Sequence, residues 1–428
     1  MTVKSLHITS AWHERSGGVR TFYLALLAAA NASGHPMRLI VPADRNYQET
    51  VGEFGKIYHL RAPRSPAPGA YRVLYPHLYL PGGSIHRILR DERPDLVEIC
   101  DKYTLPYLGG LLRVNALPGI TFRPTVVGLS CERFDDTVAA YVGATRLLRP
   151  LAALYLRWLY FPLADQHIAV SDYVASELRG VSDGHKVERG VWPGPMGVDF
   201  ATFSAARPSL AQRHQLTHWV NGSLASRLLI YAGRLAPEKN ISVLIHALRE
   251  LVCRGGSDYR LLLAGDGPSR ATLEKEAAAT IPGRVAFLGH IASPAQLAHL
   301  LANCDLFVHT NPREPFGIAP LEAMAAGVPV VVPASGGVLS YADATNAYLS
   351  PPTPEGFAAT IAEAFADDAE RARRAARARE TARERDWPTA AAWFLRLYKA
   401  LVARTTGSPL SDAPAPLFVS SFHRGFYS

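Results

Sequence analysis

Short apolar runs alternate along this chain with longer stretches in which apolar side chains recur at three- and four-residue intervals, the pattern of strands alternating with helices. Leu6-His7-Ile8-Thr9-Ser10 reads as a first strand, followed by His13-Glu14-Arg15-Ser16-Gly17-Gly18 and a helix over residues 21–32. Gly34-His35 closes that helix, and Met37-Arg38-Leu39-Ile40-Val41 is the second strand. Residues 61–84, rich in Pro, Arg and Tyr, read as an irregular excursion. Strands over residues 94–100, 123–130 and 165–171 follow, the last leaving through Ser171 as a cap into a helix over 172–179.

Residues 187–207 carry prolines, glycines and little periodicity, which places an interdomain linker there. The alternation then restarts. Arg227-Leu228-Leu229-Ile230-Tyr231-Ala232 runs into Gly233-Arg234-Leu235, and a helix over 241–254 follows. Arg260-Leu261-Leu262-Leu263-Ala264 runs into Gly265-Asp266-Gly267-Pro268. Val285-Ala286-Phe287-Leu288-Gly289-His290 and residues 305–310 are two more strands, and residues 391–403 form a closing helix faced by Trp393, Phe394, Leu397 and Tyr398. Helices flanked by strands in both halves imply an α/β chain of two Rossmann-like, doubly wound parallel-sheet domains facing a central cleft. The expected division is residues 1–200, residues 201–388, a closing helix at 389–404 packing back on the N-terminal domain, and a loosely held tail at 405–428.

Two amphipathic stretches have two readings each. In residues 146–163, Arg146, Arg149 and Arg157 fall opposite Leu147, Leu151, Trp158 and Leu159, which suits either an anionic membrane surface or a core helix with a basic solvated face, the latter being the expectation. Residues 363–385 alternate Ala with Arg, Glu and Asp; the interspersed acids and the lack of a base-reading motif argue for a solvated helix laced with ion pairs, not for nucleic acid.

Composition narrows the class. A chain of 428 residues, 48% hydrophobic and 19% charged, is globular and long enough for two cores. Its net charge of +8 admits an anionic partner: nucleotide phosphates, an acidic acceptor or a lipid surface. Cys100, Cys131, Cys253 and Cys304 have no metal-ligand spacing, so reduced thiols and no metal are expected. No basic leader and no run of about 18 apolar residues is present, which points to a cytoplasmic chain that does not span a membrane.

The candidate chemistry centres on residues 313–332. Arg313-Glu314-Pro315-Phe316-Gly317 reads as a loop, residues 318–326 as a short helix ended by Gly327, and Val328-Pro329-Val330-Val331-Val332 as a buried strand. A helix starting near Gly317 aims free N–H groups at the loop, a cradle for an anion or for hydroxyls, while Glu314 and Glu322 can face one cleft at different depths. In the first half, Gly17-Gly18 lets a phosphate or sugar approach a helix start, and Cys131-Glu132-Arg133-Phe134-Asp135-Asp136 ends a strand where ligands collect or simply forms a surface loop.

Gly233-Arg234-Leu235 with Pro237-Glu238-Lys239-Asn240, Gly265-Asp266-Gly267-Pro268, and Glu314 to Glu322 with Gly327-Val328-Pro329-Val330-Val331, in this order, resemble the retaining glycosyltransferases numbered family four, which have the two-domain GT-B fold. The resemblance runs from Gly17-Gly18 to the helix after Trp387. It implies transfer of a hexose, mannose or glucose, from a nucleoside-diphosphate sugar to a hydroxyl of a glycan or glycolipid, with the donor the only small molecule needed and no cofactor. By the same resemblance, Arg234 and Lys239 stabilise the leaving diphosphate and Glu314 hydrogen-bonds sugar hydroxyls. The N–H groups of Phe316, Gly317 and Ile318 contact sugar or phosphate, Glu322 binds ribose hydroxyls, Gly265 belongs to the donor site, and the base lies near Phe287-Leu288-Gly289-His290. Gly17 and Gly18 close on the diphosphate. Family members often carry a histidine after the fourth strand of the first domain, where this chain reads Leu129-Ser130-Cys131-Glu132; His13 or Glu132 are candidate substitutes. An inactive sugar-nucleotide-binding partner or sensor, and a sugar-nucleotide epimerase, are the competing readings. Peripheral contact with an anionic inner membrane surface is compatible with all three.

Overall fold

The computed structural model describes residues 2–12, 18–65, 71–142, 148–182 and 190–407, and within them the chain divides into two compact units. The first comprises the chain up to Met196 together with everything from Trp387 onward, and the second is Gly197–Asp386. The second unit therefore begins at Gly197, not at 201. Residues 408–428, most of the expected tail, lie outside the described residues, as do His13 and Gly17.

The first unit holds strands β1 (Ser5–Thr9), β2 (Met37–Ala43), β3 (Tyr47–Val51), β4 (Gly55–Arg61), β5 (Leu96–Cys100), β6 (Thr125–Ser130), β7 (Gln166–Ala169) and β8 (Val191–Pro193). Its helices are α1 (Gly18–Ala32), α2 (Ser84–Glu92), α3 (Pro106–Arg113), α4 (Phe134–Val142), α5 (Leu148–Tyr155) and α6 (Asp172–Ser182). The sheet order is β3-β4-β2-β1-β5-β6-β7-β8, parallel throughout except for β3, which pairs antiparallel with β4 on the edge. The hairpin of β3 and β4 and the strand at Val191–Pro193, inside the stretch read as linker, were not anticipated. β3 is exposed and polar, so it offers no hydrophobic alternation to read. Its turn rests on Gly52, at φ +65°, where a Cβ would lie 2.4 Å from Asn31 Oδ1.

The two faces of β1 are buried differently. Leu6 and Ile8 join Val97, Ile99, Leu89 and Leu108 in one apolar cluster. On the other face Ser5 and His7 are also fully buried, among α1 and the closing helix Trp387–Thr406. There Glu98 is satisfied from three sides: His7 Nδ1 lies 2.9 Å from its Oε1, Tyr23 donates to the same oxygen at 3.0 Å, and Tyr398 donates to Oε2. Phe22 and Phe394 pack beside this network with ring centroids 4.8 Å apart. The closing helix begins at Trp387, two residues before the expected start, with Pro388 in its first turn where no N–H is needed.

The amphipathic segment after α4 departs from expectation. α5 continues through turns at Leu156–Tyr160 and Phe161–Leu163, and Pro150 sits in the first turn of α5 without breaking it. The core-facing stripe is Ala152, Leu156 and Tyr160, spaced four residues apart. That leaves Leu151, Trp158 and Leu159, expected in the core, each more than half exposed, and Leu154 with them. Arg146 and Leu147 lie outside the described residues.

The second unit adds β9 (Arg227–Ala232), β10 (Tyr259–Ala264), β11 (Val285–Gly289), β12 (Leu306–Val308), β13 (Val330–Pro333) and β14 (Tyr348–Ser350). Its helices are α7 (Phe200–Ala205), α8 (Leu210–Trp219), α9 (Ile241–Arg254), α10 (Arg270–Thr280), α11 (Pro294–Ala302), α12 (Ile318–Ala325), α13 (Pro354–Ala364) and α14 (Asp368–Glu384). All pairings in the order β11-β10-β9-β12-β13-β14 are parallel, so every carboxyl end points the same way. Leu229, Leu261, Leu306 and Val331 pack under Leu244 and Leu248 of α9 and Phe357 and Ile361 of α13. α14 carries ion pairs of Glu370 with Arg373 and Arg374, and of Arg377 with Glu380.

Tyr398→Phe removes one of the three donors to a buried carboxylate and should lower the stability of the first unit by about 1–3 kcal/mol in urea unfolding. A loss under about 0.5 kcal/mol would show that the network does not hold the closing helix down.

Candidate functional site

At the carboxyl end of the second sheet, β9 gives way to Gly233 and the loop Arg234 to Asn240, whose last turn is Pro237–Lys239. Asn240, at φ +55°, turns the chain into α9, and Thr310 donates to the Lys239 carbonyl at 2.7 Å. These constraints aim the Lys239 ammonium at Glu314, with Nζ to Oε2 at 2.7 Å. Asn311 Nδ2 donates to the same oxygen at 2.9 Å, and His309 Nε2 lies 3.3 Å from it. Burial alone would raise the Glu314 carboxyl; Lys239 and His309 outweigh it and hold the group well below the usual carboxylate range.

The Glu314 loop is braced from the strand β13 side. Gly337 N donates to Glu314 O at 2.6 Å, and a Cβ on Gly337 would lie 1.9 Å from Pro315 O, so only glycine lets the two loops meet. Gly317, at φ +90°, caps α12, and Tyr341 donates its hydroxyl to the Gly317 carbonyl. The Phe316 ring is buried 5.2 Å from that of Tyr341. With Phe316 and Gly317 so fixed, the N–H groups at the start of α12, Ile318 first, lack carbonyl partners one turn back within the helix.

Glu322, one turn along α12, is largely buried, and its carboxyl is pushed up to about 7 by that burial, with the Asp199 charge adding to the shift. Gly265 lies against the first loop: a Cβ there would be 1.8 Å from Gly233 O. Arg234 occupies the same loop, pairs with Glu238 and is 48% exposed. Leu288 lines a groove of about 540 Å³ between β11, α8 and α11, with Trp219, Gln212 and Gln296. Gly18 begins α1 in the first unit. His309, Asn311, Tyr341, Gly336-Gly337 and Asp199 were not singled out in the sequence; the glycine pair just after a buried valine run was the one visible signal.

In the first unit, the cluster after β6 is ordered by Lys102. Its Nζ donates to Glu132 O at 2.5 Å and meets Glu177 at 3.0 Å, while Tyr103 and Thr137 donate to the Glu132 carboxylate at 2.9 and 3.1 Å. Glu132 is thus fixed in place. Cys100 and Cys131 are free thiols 3.6 Å apart beside it.

A sucrose-phosphate synthase from Thermosynechococcus elongatus superposes with a TM-score of 0.73 at 21% identity, covering 94% of this chain and 99% of that one. A glycosyltransferase from Rickettsia africae superposes with a TM-score of 0.67 at 16% identity, covering 94% and 99%. With the two parallel sheets, these establish the GT-B fold. In sequence, residues 217–383 match the glycosyl transferases group 1 and residues 17–191 the glycosyl transferase 4-like domain. A GDP-mannose-dependent alpha-(1-6)-phosphatidylinositol dimannoside mannosyltransferase of Mycobacterium tuberculosis is 30% identical over 413 residues, 96% of this chain and 100% of that protein. A GDP-mannose-dependent alpha-mannosyltransferase of Corynebacterium glutamicum is 27% identical, covering 92% of this chain and 88% of the relative. The chain belongs to the family-four glycosyltransferases, the glycosyl transferases group 1. It is a nucleotide-sugar-dependent hexosyltransferase, and the readings as an inactive binding partner or an epimerase are not favoured. No helix among the described residues is long and apolar enough to cross a membrane.

Because the Glu322 carboxyl takes up a proton more readily in the fold than in the unfolded chain, its contribution is complete below the ordinary value of 4.5 and is lost as pH rises through about 7. Glu322→Gln removes that dependence. Relative to their difference at pH about 5, the variant should gain at least about 2 °C in melting temperature over wild type by pH about 8. Parallel curves would show that Glu322 is not protonated in the fold.

Proposed function

We propose that this chain transfers mannose from GDP-mannose, with retention of configuration, to a hydroxyl of a lipid-linked glycan. The observation that carries the reading is the Lys239–Glu314 pair at the head of α12. The donor is suggested by the names of the relatives from M. tuberculosis and C. glutamicum, and the lipid acceptor by that of the M. tuberculosis relative.

On this reading departure of the nucleoside diphosphate concentrates negative charge beside the loop after β9. Lys239 meets that charge directly, and Arg234, on the same loop, joins it as the second cation. The N–H groups of Phe316, Gly317 and Ile318 add their dipoles on the side of α12. Glu314 accepts hydrogen bonds from sugar hydroxyls and fixes the hexose, while Glu322 accepts from the ribose. Gly265 borders the donor beside the loop after β9, and the base lies near Leu288 at the end of β11. Retention follows front-face attack in which the donor phosphate takes the acceptor's proton, so no side chain is assigned as general base and no cofactor is called for.

The lipid acceptor is consistent with the outward face of α5 and the turn after it. Leu151, Leu154, Trp158 and Leu159 form an exposed apolar patch flanked by Arg149 and Arg157, and residues 137–164 contain no acidic side chain. Such a face suits the interface of an anionic membrane at the inner surface of a cell, with tryptophan at headgroup level and arginine on phosphates.

Release of GDP from GDP-mannose should depend on added lipid-linked acceptor, and Lys239→Ala or Glu314→Ala should cut turnover by about tenfold or more in folded protein. Release from UDP-glucose alone would overturn the donor assignment, and wild-type rates in both variants would remove the site. In a separate vesicle sedimentation assay, wild type should bind phosphatidylglycerol vesicles more than phosphatidylcholine ones, and Leu154→Glu with Trp158→Glu should abolish the difference. Equal binding by wild type and the double variant would remove the membrane contact.

A further inference from the structure

Resting on the reading of Glu314 as the carboxylate that meets the donor hexose, we propose that His309, with Asn311, is a positioning residue that presents one chosen oxygen of Glu314 to the sugar. Three nitrogens converge on Glu314 Oε2: Lys239 Nζ at 2.7 Å, Asn311 Nδ2 at 2.9 Å and His309 Nε2 at 3.3 Å. Among the described residues, no donor reaches Oε1. The carboxylate is therefore gripped by one oxygen and open at the other. A sugar hydroxyl that donates to Oε1 finds an acceptor whose direction is already set, without first displacing a protein partner.

His309 is placed for this by the sheet. It follows directly on β12, so its side chain leaves at the carboxyl edge, beside the loop that carries Lys239. The ring lies nearly parallel to that of Tyr231 on β9, at 8° with centroids 6.5 Å apart, and the residue is 4% exposed. Its Nε2 approaches Glu314 without the alignment of a hydrogen bond, and Nδ1 has no hydrogen-bond partner among the described residues. A buried imidazole left so poorly satisfied is unfavourable, and leucine would fill the slot without that penalty. What leucine could not supply is the polar nitrogen that His309 holds 3.3 Å from Glu314 Oε2. Asn311, two residues on, completes the grip, and it also accepts from Arg313 N at 3.0 Å, which ties the loop to the same point. Neither residue is given contact with substrate; both act through Glu314.

The test is a comparison of His309→Leu, His309→Gln and Asn311→Ala in steady-state kinetics with GDP-mannose and acceptor, alongside binding of GDP, which lacks the sugar. We expect kcat/KM for the donor to fall about fivefold or more in His309→Leu and Asn311→Ala, with GDP affinity within about twofold of wild type. His309→Gln, which keeps a polar nitrogen in the slot beside the carboxylate, should recover part of the loss. In a Glu314→Gln background the effect of His309→Leu should vanish, because residues acting through one group are not additive. Wild-type kcat/KM in both His309→Leu and Asn311→Ala overturns the proposal, as does full additivity with Glu314→Gln or an equal loss of GDP affinity. If His309→Leu fails to fold, Asn311→Ala and His309→Gln decide the question by the same criteria. Should Glu314→Gln alone retain wild-type activity, the site reading itself falls; should it lose activity while the His309 and Asn311 variants do not, only this inference falls.

Discussion

The half-buried ion pair between Lys239 and Glu314 is the contact on which the candidate site depends. Each partner is held by backbone constraints that would make little sense without the other: Thr310 fastens the carbonyl of Lys239, and Gly337 fastens that of Glu314. Removing one member of such a pair leaves a desolvated charge behind, a penalty of about 3–5 kcal/mol, whereas the intact pair contributes little to stability. The pair is better understood as stored charge. On the proposed reading, a diphosphate that enters beside Lys239 meets a cation already desolvated in advance.

The first unit answers a different constraint. Glu98 is a fully buried carboxylate in the middle of a parallel sheet, and it is tolerable only because His7, Tyr23 and Tyr398 reach it from a strand, a helix and the far end of the chain. Burial first, and then the Glu98 charge, holds the Tyr398 phenol well above its usual value, so the hydroxyl remains a donor. This explains why the chain returns to the first unit after Asp386: without the closing helix the acid would lack a donor on Oε2 and α1 would expose Phe22.

Several elements were legible from residue order because their physics is local. β-branched and leucine runs bounded by glycine gave β9, β10 and β13, and the glycine loops after β9 and β10 marked the carboxyl edge where Lys239 lies. The exposed edge strand β3 escaped notice because nothing buries either of its faces. The stretch around α5 misled for the opposite reason: the leucines are conspicuous, but a helix with only Ala152, Leu156 and Tyr160 against the core leaves its larger apolar residues outside.

Residue order alone therefore determined the two α/β halves, the family motifs and the identities of the cations and acids, since each rests on periodicity or on a contiguous loop. Which of those groups touch was decided only by folding. Lys239 and Glu314 are 75 positions apart and meet because β9 and β12 are neighbours in the sheet, while Arg234, five positions from Lys239, turns instead to Glu238. His309 and Asn311 acquired meaning in the same way, for adjacency across parallel strands depends on the order in which distant segments pair, and no local pattern encodes that order.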